Sequence, residues 1–572
     1  MSARIICIAI AVAGIWCPSL VAQAPHDEWR TVETEHYRIH FPASHEDWAL
    51  YAAARLESVR EIVGAEVGFA PEETIDIVVT DPISRANGSA WPFLGYPRMV
   101  LWSSPPGPES VIGHYADWIE LLTIHEQAHL AHLLRPSRNR LQRMVGSFLG
   151  LGPITLESPR WAIEGYATVI EGDLTGTGRP QSDIRAAILR KWAQQGRLPS
   201  YGQLSSDRRS FLGMSMAYLA GSAFLEWLRD REGEESLRNV WARMTAKKRR
   251  TFSEAFRGVY GEDPSRLYSR FRAELIHGAL ELEEEMTEMR EGTTWQDLSW
   301  QTGVPAMTPD GSRIAIVLRG RDEPSRLVVW ETGEDDDALK EWNEEIERLL
   351  EEDPEDVAAV RRKPLPREPD DELVARDGGE MLTPRWLHDG SILFVRYEPD
   401  GDGFFHPDLF RWKPETDSVR RLTHGADLRE PAPISDHEVV AVRRRHGKSN
   451  LVHYDLRTNE SQNLTEPSLS TIVGWPSSDP SGRRVAFSRH QEGRWRLSIL
   501  DLESREVRDL DLPGILPVVR PAAHRARGRG PARDARDASV PAPVAPRPRP
   551  GLRGLLRERV SGDGLRHPLR RL

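Results

Sequence analysis

The first hundred or so residues contain short runs in which apolar and polar side chains alternate, as they do in half-buried β-strands. Such runs cover residues 37–41, 74–80 and 98–102, and an Asn-Gly turn at 87–88 precedes the last one. Residues 48–63 instead repeat their apolar positions at helical spacing. This part of the chain is therefore predicted to mix strands with a helix.

Helical spacing dominates from about residue 118 to residue 291. The run from Trp118 to Leu134 is apolar nearly all round, which is typical of a buried helix. Two histidines and a glutamate interrupt it, and such groups need partners when they are buried. Further helices are predicted over 159–167, 216–228, 237–244, 252–260 and 264–289.

The pattern changes again near residue 294. Four stretches combine a turn with a following apolar strand, and the last three recur at about 46 residues, within the range of propeller blades. The four stretches are 308–317, 386–395, 434–442 and 479–488. We predict an all-β propeller over 292–516, apparently incomplete, with an acidic and partly helical insertion at 334–380. The Pro-Asp-Gly turn before Ile314 resembles the repeats of TolB-like propellers.

One motif in the buried helix suggests metal chemistry. His125 and His129 are four residues apart, so they lie one turn apart on the same face of a helix. Two imidazole nitrogens and a third protein ligand would hold one zinc ion per chain and leave a position open for water. Glu126 stands beside them, where it can take a proton from that water.

The His-Glu-x-x-His motif is followed by Trp-x-x-Glu-Gly-x-Ala at 161–167, and together they resemble the gluzincin zinc peptidases, close to their peptidase MA-like members. The resemblance implies an α+β metallopeptidase domain over 25–291, Glu164 as the third zinc ligand and Glu126 as the general base. The interval between the two motifs is longer than in well-known gluzincins. We therefore predict an inserted loop at 135–140 and 146–152. The metzincin alternative requires a third histidine where Arg135 stands.

Two more side chains each have two interpretations. A helix beginning Tyr-x-x-Gly at Tyr218 is similar to one in zinc aminopeptidases, where the tyrosine stabilises the oxyanion. This chain has Ala220 where that family has lysine, so Tyr218 is either a catalytic residue or a core tyrosine. His132 is either a partner of the metal ligands or an ordinary histidine on the helix face.

In gluzincins an edge strand above the zinc binds the substrate backbone by strand addition, and the hairpin over 87–101 is the candidate here. Aminopeptidases of this clan hold the free amine of the substrate with a glutamate in a Gly-Ala-Met-Glu-Asn loop. The comparable residues 87–91 contain no acid. This favours an endopeptidase that cleaves peptide or protein substrates, with an aminopeptidase as the alternative.

The two ends of the chain differ from its body. Residues 1–24 have the charged start, apolar run and small-residue cleavage site of a secretory signal, which predicts an exported protein of the periplasm or the extracellular space. Both cysteines, Cys7 and Cys17, lie in this segment, so a cysteine-based zinc site is excluded. No later segment is apolar enough to span a membrane. The Arg/Pro-rich tail at 517–572 is either disordered or the product of a shifted reading frame.

Charge limits the partners. The formal net charge is -11, and the tail is strongly cationic, so the body is more acidic still. This argues against nucleic-acid binding by the body. We predict an exported zinc metallopeptidase, with the propeller as a module for an envelope protein partner. The competing hypothesis is a non-enzymatic envelope scaffold whose zinc domain is inactive or structural.

Overall fold

The structure is a computed structural model that describes residues 27–206, 214–285 and, with short gaps between 293 and 402, 292–510. The predicted signal segment at 1–24 and the tail at 517–572 lie outside these ranges. So do residues 286–291, where the helical region was predicted to end.

A five-stranded sheet opens the described chain, with strand order β1-β2-β3-β5-β4. The strands β2, β3 and β5 are parallel neighbours, whereas β4 pairs antiparallel with β5 and lies at the edge. The three predicted strands are present, and β1 is an addition. The bounds are β1 Trp29–Glu33, β2 Tyr37–Pro42, β3 Ile75–Thr80, β4 Gly88–Trp91 and β5 Arg98–Trp102.

Eleven helices of the described ranges pack against this sheet and against one another. None of them is long and apolar enough to cross a bilayer. The bounds are α1 Glu46–Val67, α2 Trp118–Leu133, α3 Arg140–Leu149, α4 Pro153–Glu157, α5 Arg160–Thr175, α6 Asp183–Gln194, α7 Tyr201–Ser206, α8 Ser215–Glu232, α9 Ser236–Met244, α10 Phe252–Tyr260 and α11 Pro264–Glu285.

The prediction of an inserted loop at 135–140 and 146–152 is confirmed for residues 135–139 and 150–152, which lie outside helices, but it was wrong for Arg140 and residues 146–149, which belong to α3. Asn139 caps α3 by accepting a hydrogen bond from the backbone N–H of Gln142, at 3.0 Å. Gly150 ends α3 in the left-handed conformation, with φ of 68°. The glycines that suggested a loop therefore include a helix terminator.

Four antiparallel sheets follow one another along the rest of the described chain, which confirms the predicted propeller repeats. A further helix, α12 (Asp336–Glu352), lies along the chain between the last two of the five strands of the first sheet. The remaining bounds are β6 Gln301–Thr302, β7 Ala306–Met307, β8 Arg313–Arg319, β9 Arg326–Glu331, β10 Asp371–Val374, β11 Met381–Trp386, β12 Ile392–Pro399, β13 Phe405–Lys413, β14 Ser418–Arg421, β15 Leu428–Pro433, β16 Glu438–Arg445, β17 Lys448–Asp455, β18 Ser461–Asn463, β19 Ile472–Ser478, β20 Arg484–Gln491, β21 Arg494–Asp501 and β22 Val507–Asp509.

The predicted insertion at 334–380 is too long at its C-terminal end. Residues 371–374 form β10, which pairs antiparallel with β9 and completes the first sheet. The reason is that Leu373 and Val374 supply apolar side chains to this strand, and Leu373 packs on the cluster between the first and second sheets. The acidic segment is thus an insertion between two adjacent strands of one blade.

The fourth sheet contacts the region that leads into α2. His490 and the backbone carbonyl of Tyr115 are hydrogen-bonded at 2.8 Å, and the indole of Trp495 donates to the carbonyl of Gly113 at 2.7 Å. Ile472 belongs to the same apolar cluster as Trp118, the first residue of α2. The propeller therefore supports the start of the helix that carries the predicted site.

Candidate metal centre

The helix α2 carries three of the predicted site residues in a buried setting. Its N-terminus is capped by Asp117, whose carboxylate accepts from the backbone N–H of Glu120 at 3.1 Å. The helical spacing brings the rings of His125 and His129 to 4.8 Å between centroids. Both histidines and Glu126 are buried, so their polar groups require partners from other elements.

The helix α5 supplies the first of these partners. Glu164 lies in its second turn, with Oε2 3.1 Å from Nε2 of His129 and 3.9 Å from Nε2 of His125. One ligand atom from each of the three residues lies within 4.8 Å of the others. In the part of the chain that the structure describes, these residues form the one such group of potential metal ligands.

Glycines explain how α5 and α8 come close enough to complete this site. A Cβ atom at Gly165 would lie 2.8 Å from the backbone carbon of Gly221, and one at Gly221 would lie 2.7 Å from the carbonyl oxygen of Trp161. A larger residue at either position would push the helices apart. The Glu-Gly pair of the sequence motif therefore combines a polar side chain with a close helix contact.

Glu171 holds His125 from the side away from Glu164, and sequence reasoning missed it. Its Oε2 lies 2.8 Å from Nδ1 of His125, and Arg179 donates to the same oxygen at 2.7 Å and from its backbone N–H to Oε1 at 2.9 Å. Glu171 follows Glu164 by two helical turns, so its spacing along α5 was the available signal. An Nδ1–H donated to this carboxylate leaves the Nε2 lone pair of His125 facing Glu164.

The charges of the cluster are coupled. Burial alone would raise the pKa of Glu164, but His129 and Arg160 outweigh it and lower that pKa to about 2. Burial likewise opposes the protonation of His129, but the charge and hydrogen bond of Glu164 raise its pKa. Glu164 is thus ionised and available as an anionic ligand.

Glu126 lies against the edge strand β4. A Cβ atom at Gly88 would lie 2.7 Å from its Oε1 and 2.6 Å from Cδ1 of Leu122, so only glycine fits there without a shift. Burial raises the pKa of Glu126, an effect that the neighbouring histidines oppose. The structure therefore brings the predicted base beside the edge strand that sequence analysis selected for substrate binding.

Tyr218 lies next to the predicted ligands. Its ring centroid is 6.1 Å from that of His125, and its hydroxyl accepts a hydrogen bond from Arg160 at 3.2 Å. The guanidinium of Arg179 stands 4.6 Å from the centre of its ring. Burial raises the pKa of Tyr218, which keeps its hydroxyl protonated.

The ring of His132 lies 5.7 Å from that of His129, but its hydrogen bond goes to the backbone of its own helix. Its Nδ1 lies 2.6 Å from the carbonyl oxygen of Ala128, and its ring packs against Tyr166 and Trp241 at 5.1 and 5.3 Å. Burial lowers its pKa to about 3. These contacts favour a neutral histidine that supports the packing of α2 rather than one on a solvated face.

The donor set can be tested against the requirements of zinc. Ligand atoms about 2.0–2.2 Å from a tetrahedral ion are roughly 3.4 Å apart. The two distances from Glu164, 3.1 and 3.9 Å, bracket that value. Two imidazole nitrogens and one carboxylate are also a common ligand set of catalytic zinc. The residues therefore fit this ion.

No protein-family model matches the chain, and no curated protein matches it. Similar solved structures include TolB from Acinetobacter baumannii, with 18% identity over 38% of this chain and 44% of that one, at a TM-score of 0.26. A putative TolB from Agrobacterium tumefaciens has 15% identity over 38% of this chain and 68% of that one, with a TM-score of 0.27. A puromycin-hydrolyzing peptidase of Mycobacterium tuberculosis has 14% identity over 39% and 30%, with a TM-score of 0.25. This chain thus spans less than half of the Acinetobacter protein.

Proposed function

We propose that this protein is a zinc-dependent metallopeptidase, and that it cleaves within peptide chains. The observation that carries the proposal is the convergence of His125, His129 and Glu164 with Glu126 buried beside them. A structural zinc site has no use for the carboxylate of Glu126, whereas hydrolysis needs a base at this point. Export from the cell, as the N-terminal segment suggests, is part of the proposal.

Each residue of the site has a task in this reaction. The two histidines and Glu164 would hold a zinc ion, which would supply Lewis acidity for the attacked carbonyl and for water. Glu126 accepts a proton from the attacking water and returns it to the nitrogen of the leaving amine. Tyr218, with a protonated hydroxyl, donates a hydrogen bond to the oxyanion. Glu171 keeps the ring of His125 in its orientation.

The edge strand β4 suits an extended substrate. One of its sides pairs with β5, and none of the strands in the described ranges pairs with the other side. A peptide added to this side would run close to Glu126, since a Cβ atom at Gly88 would lie only 2.7 Å from Oε1 of that carboxylate. Residues 87–91 contain no acid to hold a free amine, which supports internal cleavage over aminopeptidase activity.

The test is the variant Glu126→Gln, assayed on quenched peptides with blocked amino termini. Glutamine keeps the size of the side chain but cannot accept the proton. We expect kcat/KM to fall by about 10²–10⁴-fold or more, because one group serves two proton transfers. Zinc content should remain that of the wild type, since Glu126 is not a ligand.

Glu61→Gln, an exposed change on α1, is the matched control and should leave the activity unaltered. Equal turnover by Glu126→Gln and the wild type would contradict the mechanism. A zinc-loaded wild type that cleaves nothing would favour the non-enzymatic scaffold. Cleavage of unblocked peptides alone would favour the aminopeptidase.

A further inference from the structure

The helix α3 directs its apolar stripe toward solvent. Five apolar residues recur at the spacing that normally buries one face of a helix, and all of them are exposed. Phe148 has 89% of its surface exposed and Met144 has 64%. The five are Leu141, Met144, Val145, Phe148 and Leu149.

The orientation of α3 is set by contacts on its other side. Gly146 is buried there, where an added Cβ would lie 2.8 Å from the carbonyl oxygen of Leu151. The backbone N–H of Leu94, in the loop between β4 and β5, donates to the carbonyl of Gly150 at 2.9 Å. At the other end, the side chain of Asn139 donates to the carbonyl of Lys247 at 2.7 Å. The stripe is therefore exposed because α3 is anchored at Gly146 and at its two ends, on the side away from the stripe.

Two elements next to α3 in the structure or the chain also expose apolar residues. Tyr96, in the loop that is bonded to Gly150, has 76% of its surface exposed, and Leu156 of α4 is also exposed. A single exposed apolar side chain needs no explanation, but a grouped set on a soluble protein usually marks an interaction site. We call the five stripe residues, Tyr96 and Leu156 the α3 patch.

Cationic residues border the α3 patch. Residues 135–157 contain four arginines and one acid, Glu157, and residues 245–250 contain four further cations and no acid. The second segment is attached to the start of α3, since the backbone N–H of Arg138 donates to the carbonyl of Thr245 at 2.8 Å. The eight cations are Arg135, Arg138, Arg140, Arg143, Lys247, Lys248, Arg249 and Arg250. They stand out in a chain whose net charge is -11.

We propose that the α3 patch docks this protein on the surface of an anionic phospholipid bilayer. An amphipathic helix with bulky apolar residues and a cationic border lies in the headgroup plane, with its apolar side among the acyl chains and its cations beside lipid phosphates. The Arg-rich segment from residue 520 does not complement the patch, because it carries fourteen arginines and four acids. The proposal does not depend on peptidase activity.

The experiment is flotation of the full chain with vesicles of phosphatidylcholine alone, or with about one third phosphatidylglycerol. We expect binding to the anionic vesicles, and weaker binding as salt screens the charges. Met144→Ser with Phe148→Ser, and separately Lys247→Glu with Lys248→Glu, should each weaken that binding by about tenfold or more.

The controls carry the same chemical changes elsewhere. Leu280→Ser replaces an exposed leucine of α11, and Lys413→Glu with Arg420→Glu reverses two exposed charges on the propeller. Both should bind like the wild type. All variants share residues 1–26, so these residues contribute equally to every measurement.

A fluorescent label reports insertion directly. With Cys7 and Cys17 changed to serine, Phe148→Cys provides a single thiol for a polarity-sensitive dye, and Leu280→Cys provides the control. The emission at 148 should shift to the blue on anionic vesicles, and that at 280 should not. Absence of binding to the anionic vesicles by the wild type, or unchanged binding by the paired variants, would overturn the proposal. So would a dimer that the Phe148→Ser change dissociates without any effect on vesicles.

Discussion

The helices α2 and α3 follow each other along the chain but differ in the burial of their apolar residues. α2 is buried throughout its length, and its buried residues include three histidines and a glutamate. α3 exposes its apolar stripe and buries a glycine. Both depart from the rule that apolar side chains lie inside and polar ones outside. Departures of this kind are expected at functional sites, and the two proposals rest on them.

The comparison also shows how each departure is compensated. In α2 the buried polar groups obtain partners from α5, as with His125 and Glu171 at 2.8 Å. In α3 the two ends are held by hydrogen bonds instead, from the backbone N–H of Leu94 to Gly150 and from the side chain of Asn139 to the carbonyl of Lys247. The spacing of apolar residues thus defines an apolar face on each helix. Contacts with neighbouring elements decide whether that face or the opposite one is buried.

The first prediction compares one leucine from each helix. Leu130 of α2 is fully buried, so Leu130→Ala should lower the free energy of unfolding by about 2–5 kcal/mol. Leu141 of α3 is exposed, so Leu141→Ala should change it by only about 0.5 kcal/mol or less. Urea denaturation measures both. A loss at Leu141 as large as that at Leu130 would mean that the stripe of α3 is buried.

The second prediction concerns the partner that α5 provides to α2. Glu171→Gln removes the negative charge that orients Nδ1 of His125, so zinc affinity should fall by about 10–100-fold. Competition with a chromophoric chelator measures the affinity. Glu232→Gln, an exposed change on α8, is the control. An unaltered affinity in Glu171→Gln would show that the helices hold His125 without this carboxylate.

The third prediction concerns the anchoring of α3. In Gly146→Ala the added methyl group would meet the carbonyl oxygen of Leu151 at 2.8 Å, so the inner face of α3 has to move. We expect a local loss of about 1 kcal/mol, seen as roughly fivefold faster hydrogen exchange of the α3 amides. Gly202→Ala, where a Cβ meets nothing within 4 Å, should leave this exchange unchanged. Equal rates in both variants would refute the proposed anchor.

Much of the architecture could be predicted from local patterns. The alternation in residues 37–41 and 98–102 and the turn-strand repeats after residue 294 correspond to strands in the structure. A period of two or of 3.6 residues predicts whether an element is a strand or a helix, and turn residues predict where it ends. Residues 146–149 were misread because glycine signals a turn in isolation, whereas Gly146 packs within α3 and Gly150 terminates it.

The sequence by itself determined that His125 and His129 share a helix face, because four residues make about one turn. It also determined that residues 87–91 offer no acid to a free amine. Only the tertiary structure decided that Glu164 meets Nε2 of His129 at 3.1 Å and that Glu171 holds His125. It alone decided that the stripe of α3 faces outward. These outcomes depend on how separate helices and strands pack against one another. The pattern of residues within one element does not show which neighbour buries that element.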